Sequence, residues 1–180
     1  PRLEIAESDL PQEMQRLEQA LTRTRQQLLE MLRKVNEAMG AKDASIFDAH
    51  LLVLEDPTLI DEVTRVIQQQ KTNAESAFQQ VAEKYGATLS SMDDEYLRER
   101  AADMRDVTAR VLVNLLGWTD ETDLGKLKEP CIIISYDLAP STTALLDRKM
   151  VLGFATDAGS KTSHTAIMAR SLQIPAVVWL

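Results

Sequence analysis

Aromatic residues are scarce in this 180-residue chain, where phenylalanine, tryptophan and tyrosine together account for 4%. This scarcity argues against an all-β sandwich, whose strands are rich in aromatic and β-branched side chains. Apolar residues nevertheless make up 44% of the sequence, enough to bury the core of one large domain or two small ones. We therefore expect helices that pack through leucine, isoleucine, methionine and alanine.

The chain has one cysteine, Cys131, so no internal disulfide is possible. This residue lies in the apolar run CIII and is interpreted as a reduced, buried thiol of a cytosolic protein. No apolar run approaches the roughly 20 residues that cross a bilayer, and the N-terminus lacks the pattern of a signal peptide. We expect a cytoplasmic protein without membrane insertion. Because residue 1 is Pro1, we also expect a piece of a longer chain.

Basic residues are in deficit, with 20 lysines and arginines against 28 aspartates and glutamates and a formal charge of −8. An acidic chain is repelled by phosphate backbones and by anionic lipid. Nucleic acid and membrane are therefore disfavoured as partners, and a basic protein is favoured.

Helical spacing of apolar residues dominates the chain as far as Gly117. Capping residues, prolines and glycines divide this region into separate helices. The predicted helices cover residues 11–39, 43–54 with Asp43 as the cap, 57–71, 73–85 and 93–116. We therefore predict a helical domain over residues 1–117.

Beyond a polar linker, the pattern changes to short apolar runs typical of strands, at 131–135, 151–156 and 176–179. A helix opened by Pro140 and Ser141 and another beginning near His164 separate these runs. Such alternation predicts parallel strands with crossover helices, and it places ligand chemistry at the strand ends. Residues 118–180 are therefore predicted to form a small α/β domain.

His164 follows a turn rich in glycine, serine and threonine and begins a short helical pattern. Gly159 permits a tight turn, and Thr162 and Ser163 supply capping hydroxyls. The free N–H groups and the helix dipole favour an anion there by roughly 0.3 to 1 kcal/mol. An exposed neutral imidazole is also a nucleophile toward phosphoryl groups. The pattern indicates a phosphorylated histidine, with a structural histidine as the alternative.

Four segments resemble the N-terminal region of enzyme I of the bacterial phosphoenolpyruvate-dependent sugar phosphotransferase system. They are TDAGSKTSHTAIMARSLQIPAVV around His164, IFDAHLLVLEDPTL (46–59), DDEYLRERAADMRDV (93–107) and DLAPSTTALL (137–146). The first is also loosely similar to pyruvate phosphate dikinases and phosphoenolpyruvate synthases. Those enzymes share the histidine segment but not the helical motifs, so the resemblance favours enzyme I.

The resemblance implies an α plus α/β fold, in which a helical bundle that binds HPr, a small histidine phosphocarrier, is inserted in or attached to a small swivelling α/β phosphohistidine subdomain. Family strands are implied before Pro1 and after Leu180, so this subdomain is expected to be incomplete at both ends. The implied activity passes a phosphoryl group from phosphoenolpyruvate to His164 and then to a histidine of HPr. The partners are HPr and a C-terminal phosphoenolpyruvate-binding domain of the same polypeptide. Mg²⁺ is expected in the full-length enzyme, and no cofactor in this chain.

The resemblance also assigns site residues. Thr143 is the implied hydrogen-bond partner of His164, although it is also readable as an ordinary helix residue. The implied phosphate-binding residues are Gly159, Lys161, Thr162, Ser163 and Thr165. The implied HPr-binding residues are Ile46, His50, Val53, Tyr96 and Arg100. For His50 the residues themselves favour the alternative of a half-buried polar residue on an amphipathic helix.

No metal ligands are assigned in this chain. Asp103 and Asp106 are close in sequence, but interleaved arginines indicate an ion-paired helix face instead of a carboxylate metal site.

Other functions stay open at the level of sequence. A swivelling phosphohistidine domain of a dikinase would use the same histidine. Enzyme I-like proteins of nitrogen-regulatory or dihydroxyacetone phosphotransferase systems would look nearly identical here. A helical interaction module with a structural His164 is the non-enzymatic alternative.

Overall fold

The structure, a computed structural model, describes residues 1–117, 127–144, 146–158 and 163–178, with the backbone alone at 38, 39, 43, 95, 96, 98 and 99. The chain divides into two compact units. One comprises Pro1–Leu28 and Asp48–Thr119, and the other Leu29–Phe47 and Asp120–Leu180. The sequence places residues 29–47 with the helices, whereas here they group with the α/β segment, so the limits 1–117 and 118–180 stay a prediction.

Among the described residues, five long helices precede the sheet. They are α1 (Leu10–Met39), α2 (Ala41–Leu54), α3 (Pro57–Gln70), α4 (Ala74–Ser90) and α5 (Glu95–Leu116). All five predicted helices are confirmed, with two corrections at their ends. Asp43 does not cap α2, because that helix restarts directly after Gly40, whose φ of +97° ends α1. Helix α4 continues past Tyr85 to Ser90, with Gly86 buried in its interior.

Helix α3 shows how local sequence sets a helix end. Pro57 occupies the first turn, where its missing N–H costs nothing, and the Asp56 carboxylate accepts the Thr58 N–H at 2.8 Å. Lys71 closes the helix in the left-handed conformation with φ of +47°. The N-terminal boundary therefore follows from the Asp56 cap and Pro57, whereas at the C-terminal boundary Lys71 adopts a conformation that residues with a Cβ disfavour.

The helical unit is held by α4, which packs against both α3 and α5. Its core is apolar and includes Leu59, Val63, Ile67, Phe78, Val81, Val107 and Val111, all at most 2% exposed. Thr24 interrupts the apolar seam of α1 but is fully buried. Its hydroxyl donates to the Ala20 carbonyl at 2.8 Å and accepts a hydrogen bond from the Asn114 amide at 2.8 Å. A polar residue is tolerated there because its hydrogen bonds are satisfied.

Three parallel strands form one sheet in the order β1 (Cys131–Ser135), β2 (Val151–Thr156) and β3 (Ala176–Val178). A four-residue helix, α6 (Pro140–Thr143), follows β1, and α7 (His164–Leu172) follows β2. The predicted alternation and the parallel arrangement are thus confirmed. Trp179, the end of the third predicted strand, lies outside the described residues.

One face of the sheet carries the core of the α/β segment. Its buried cluster is Leu138, Leu146, Val151, Phe154, Ala169 and Ile174. On the opposite face Ile134, Ala155 and Val177 lie in register across the three strands, and Ile134 and Val177 are well exposed. Within the described chain, helices therefore cover one face of the sheet.

Gly153 in β2 allows a close approach by the segment before β3. A Cβ at this position would lie 3.1 Å from the Pro175 carbonyl oxygen, which accepts the Phe154 N–H at 3.0 Å. We expect Gly153→Ala to destabilise the sheet by about 1 to 2 kcal/mol, because a backbone atom must move. Faster amide hydrogen exchange at Phe154 would report the loss. Gly86→Ala, at a helical glycine with open space around it, is the control, and equal protection of Phe154 in both variants would contradict the prediction.

Candidate functional site

The loops after β1 and β2 meet at the carboxyl edge of the sheet. The Ala158 N–H donates to the Tyr136 carbonyl at 2.7 Å, and the Thr156 hydroxyl donates to the Ala158 carbonyl at 2.8 Å. Parallel strands bring their carboxyl ends to one edge, which is where ligands bind in α/β folds. The first bond joins the two loops at that edge, and the second holds the loop after β2 against the end of its own strand.

His164 is the first residue of α7, and its side chain is exposed at this edge. The hydroxyl of Ser163 accepts the Ala166 N–H at 3.3 Å, and the Ser163 carbonyl accepts the Ile167 N–H at 3.0 Å. The predicted cap by Ser163 is therefore confirmed. The N–H groups of His164 and Thr165 precede the first intrahelical bond, so the helix offers them no acceptor. They and the helix dipole suit an anion beside the imidazole.

Helix α7 is fixed by the face that it buries. Thr165, Ala166, Met168 and Ala169 are buried, whereas His164 and Ile167 are exposed. Ile167 is apolar but lies off the buried face, which runs through Thr165 and Ala169. The helix phase thus turns the imidazole outward.

Thr143 is fully buried in α6, a helix that contacts α7. Its hydroxyl donates to the Ala139 carbonyl at 3.0 Å, and among the described residues no hydrogen bond joins it to His164. The Thr143 oxygen has acceptor capacity left for an imidazole N–H. The pairing of Thr143 with His164 stays a prediction.

Three of the five predicted phosphate-binding residues lie outside the described residues: Gly159, Lys161 and Thr162. Of the other two, Ser163 caps α7. The Thr165 side chain is buried, and its hydroxyl donates to the Leu138 carbonyl at 2.6 Å. The proton of this hydroxyl is therefore directed into the protein, and phosphate binding by Thr165 stays a prediction for its backbone N–H. Only the backbone N–H of Thr165 is placed for an anion.

The predicted HPr-binding residues do not form one exposed group. Ile46 and His50 are buried, Val53 and Arg100 are half-buried, and the Tyr96 side chain lies outside the described residues. The prediction that a docked protein contacts Ile46 and His50 directly is therefore corrected, because both side chains are buried.

His50 belongs to a buried charged cluster between α2 and α5. Its Nε2 lies 3.4 Å from Asp103 Oδ1, and its Nδ1 lies 3.9 Å from Asp106 Oδ2. Arg100 Nη1 lies 3.6 Å from Asp103 Oδ2, in agreement with the ion-paired face predicted for α5. Sequence reasoning missed the carboxylate neighbours of His50. Their spacing of three residues on α5 and the apolar neighbours Phe47 and Leu54 of His50 were the available signals.

Among the residues that the structure describes, no group of three or more histidine, cysteine, aspartate or glutamate side chains is arranged to hold a metal ion. None of the helices described is both long and apolar enough to cross a bilayer.

Comparison with known proteins matches both parts of the chain. Residues 1–100 match the family described as PEP-utilising enzyme, N-terminal, and residues 127–180 match PEP-utilising enzyme, mobile domain, where PEP is phosphoenolpyruvate. The chain therefore belongs to the phosphoenolpyruvate-utilising enzymes.

Within that family the similarity is to enzyme I, or phosphoenolpyruvate-protein phosphotransferase. The chain is 48% identical to this protein from Listeria innocua and 47% identical to that of Geobacillus stearothermophilus, over 95% of its own length in each case. It spans 30% and 29% of those relatives, respectively.

Solved structures give the same assignment. A solution structure of the enzyme I protein nEIt matches all of this chain with a TM-score of 0.81 and 43% identity, and the chain covers 72% of it. The N-terminal domain of enzyme 1 of a nitrogen system matches 99% of the chain with a TM-score of 0.71 and 28% identity, and 71% of that structure is covered. The predicted enzyme I N-terminal fold is thereby confirmed.

Proposed function

We propose that this chain is the phosphohistidine and carrier-docking part of a sugar phosphotransferase enzyme I, and that His164 carries the phosphoryl group. The observation that supports this most is the exposed imidazole at the capped N-terminus of α7, at the carboxyl edge of the sheet, in a chain of this family. Phosphoryl transfer depends mainly on alignment and on stabilisation of the phosphoryl oxygens. The N–H groups at the start of α7 supply that stabilisation beside the nucleophile.

Two displacements make up the proposed reaction. In the first, an imidazole nitrogen of His164 attacks phosphorus, the bond to the enol oxygen of phosphoenolpyruvate breaks, and the departing enolate takes a proton to become pyruvate. In the second, a histidine of HPr attacks the same phosphorus, and the bond to His164 breaks. No water is consumed. The phosphoramidate stays a reactive phosphoryl donor, so the transfer between the two histidines is reversible.

The parts of the reaction are divided between this chain and the rest of the enzyme. We assign phosphoenolpyruvate and Mg²⁺ binding to a C-terminal domain of the same polypeptide, because the chain spans about 30% of its relatives. The acidic helical region docks HPr, in a cytoplasmic enzyme. This chain alone is then expected to perform the second displacement and its reverse.

A nitrogen-regulatory enzyme I is the second candidate, since the N-terminal domain of such a protein matches the fold at 28% identity. Its chemistry at His164 would be the same, and its carrier protein would differ. A dikinase-type domain is disfavoured by the helical match over residues 1–100. Preference for HPr over a nitrogen-system carrier in the same assay separates the two candidates.

Incubation with radiolabelled phospho-HPr tests the proposal. We expect the chain to acquire label that is stable in alkali and lost in acid, as a phosphoramidate is, and to return it to unlabelled HPr. Peptide mapping is expected to place the phosphate on the segment that contains His164. Label on another peptide, or none on a chain with a helical circular dichroism spectrum, would contradict the proposal.

A further inference from the structure

The buried hydroxyl of Thr165 joins α7 to the loop after β1. Thr165 is 6% exposed, and its hydroxyl donates to the Leu138 carbonyl at 2.6 Å across 27 residues of sequence. A short bond between two buried groups is seldom exchanged for water, so it fixes both segments.

The acceptor of this bond is itself immobilised. The Leu138 side chain is 5% exposed within the core cluster of the α/β segment. The Leu138 N–H donates to the Asp137 carboxylate at 2.8 Å. The next residue, Ala139, is the N-cap of α6, and its carbonyl accepts the first hydrogen bonds of that helix. The Leu138 carbonyl is therefore a fixed point between β1 and the helix that contains Thr143.

The connection from β2 to α7 is tied to this same loop at two places. Ala158, at the end of one described segment, donates its N–H to the Tyr136 carbonyl at 2.7 Å, and Thr165, near the start of the next, donates to Leu138. Because Thr165 directly follows His164 in the first turn of α7, its anchor sets the rotation and depth at which the helix presents the imidazole.

We infer that Thr165 is a positioning residue for phosphoryl transfer at His164, an inference that rests on the proposed function. Its hydroxyl acts on the Leu138 carbonyl and not on the phosphate. Loss of this bond leaves His164 chemically intact but lets the start of α7 shift, and a displacement of about 1 Å costs in-line reactions up to roughly a hundredfold in rate. The effect falls on the transfer step and not on carrier binding, because Thr165 is buried.

Rapid-quench transfer from radiolabelled phospho-HPr, at several HPr concentrations, tests this inference. We expect Thr165→Val to lower the maximal rate about 10- to 100-fold with the half-saturating concentration unchanged. Thr165→Ser, which keeps the donor, is expected to recover most of the rate. Thr24→Val is the matched control, since it also removes a buried hydroxyl that donates to a backbone carbonyl, in the helical unit. Its maximal rate is expected to equal that of the wild type.

The outcomes are distinct. If Thr165→Val has the maximal rate of the wild type, the inference is overturned and the proposed function stands. The same holds if only the half-saturating concentration of phospho-HPr changes. An unlabelled wild-type chain contradicts the proposed function itself. If Thr165→Val does not fold, Thr165→Ala replaces it. If neither folds, or if Thr165→Ser is as slow as Thr165→Val, the hydroxyl is not a positioning group and the inference is overturned.

Discussion

Replacement of His164 with alanine is expected to abolish the acid-labile phosphorylation of this chain by phospho-HPr. The loss should exceed about a thousandfold, because no second nucleophile occupies that position. The side chain is exposed and lies outside the buried face of α7. The free energy of unfolding should therefore change by no more than about 0.5 kcal/mol. Stoichiometry of label at the end of the reaction, with the far-ultraviolet circular dichroism spectrum, measures both effects.

The chain contains one other histidine, His50, and it provides the comparison. His50→Gln is expected to keep the label, since its buried side chain faces Asp103 and Asp106 and has no access to a phosphoryl donor. It is expected instead to lower stability by about 1 to 3 kcal/mol, because two buried carboxylates lose a partner. Label that survives in His164→Ala and disappears in His50→Gln would reverse the assignment.

Local signals were sufficient for the position of His164. Ser163 is a strong capping residue directly before an amphipathic run, and the structure uses its hydroxyl as the cap. The apolar runs before and after the helix became β2 and β3, because short runs bounded by turn residues have few other ways to bury their side chains. The strand ends and the helix start then place the imidazole at the edge of the sheet.

Assignment of the neighbouring hydroxyls required tertiary information. Thr162, Ser163 and Thr165 look equally available to a phosphate in the sequence. Thr165 lies three and four residues before the buried Met168 and Ala169, a spacing that places it on the same helix face. That spacing indicates burial, but it cannot identify the Leu138 carbonyl as the acceptor, because Leu138 is distant in sequence.

The burial of His50, one of the predicted docking residues, also depends on helix phase. His50 lies three residues after Phe47 and four before Leu54, and both are buried, so the phase of α2 carries His50 inward. Resemblance to a family transfers the identity of a residue but not the direction of its side chain. A polar residue of such a motif, as His50 is here, can be buried and hold its helix in place without contacting a partner.

A second network, around Glu13 in the helical unit, holds α1 to α4. The Glu13 carboxylate is buried, receives two hydrogen bonds from Arg16 at 2.8 and 2.9 Å, and accepts the Ala74 N–H at 2.6 Å. Asn73, the residue before α4, makes no side-chain cap for that helix. Glu13 thus supplies from α1 the capping acceptor that α4 lacks locally.

Arg16 links the same network to Glu75 and to the end of α5. It bonds the Glu75 carboxylate and donates to the Leu115 carbonyl at 3.0 Å. Burial lowers the pKa of Arg16, but its hydrogen bonds to Glu75 and Glu13 outweigh that effect and raise the pKa above its usual value. Burial raises the pKa of Glu75, and hydrogen bonds from its own backbone, Arg16 and Asn73 bring it below the usual range. Both groups are therefore held in their charged forms.

Glu13→Ala is expected to destabilise the helical unit by about 2 to 4 kcal/mol, because it removes a buried charged acceptor and leaves the Ala74 N–H without one. The loss stays below that of a fully buried pair, since Arg16 is partly exposed and keeps Glu75 as a partner. Urea denaturation followed by far-ultraviolet circular dichroism measures the change.

Glu37→Ala is the matched control for this prediction. Glu37 lies on the same helix and also pairs with an arginine, Arg33, at 3.4 Å, but both side chains are largely exposed. Both substitutions replace a helical glutamate with alanine, and the opposite effects of the helix dipole at the two ends of α1, roughly 0.3 to 1 kcal/mol each, are smaller than the loss expected from the buried contacts. We expect Glu37→Ala to cost no more than about 0.5 kcal/mol. Equal losses in the two variants would mean that the loss of a helical glutamate, and not of the link from α1 to α4, accounts for the cost of Glu13→Ala.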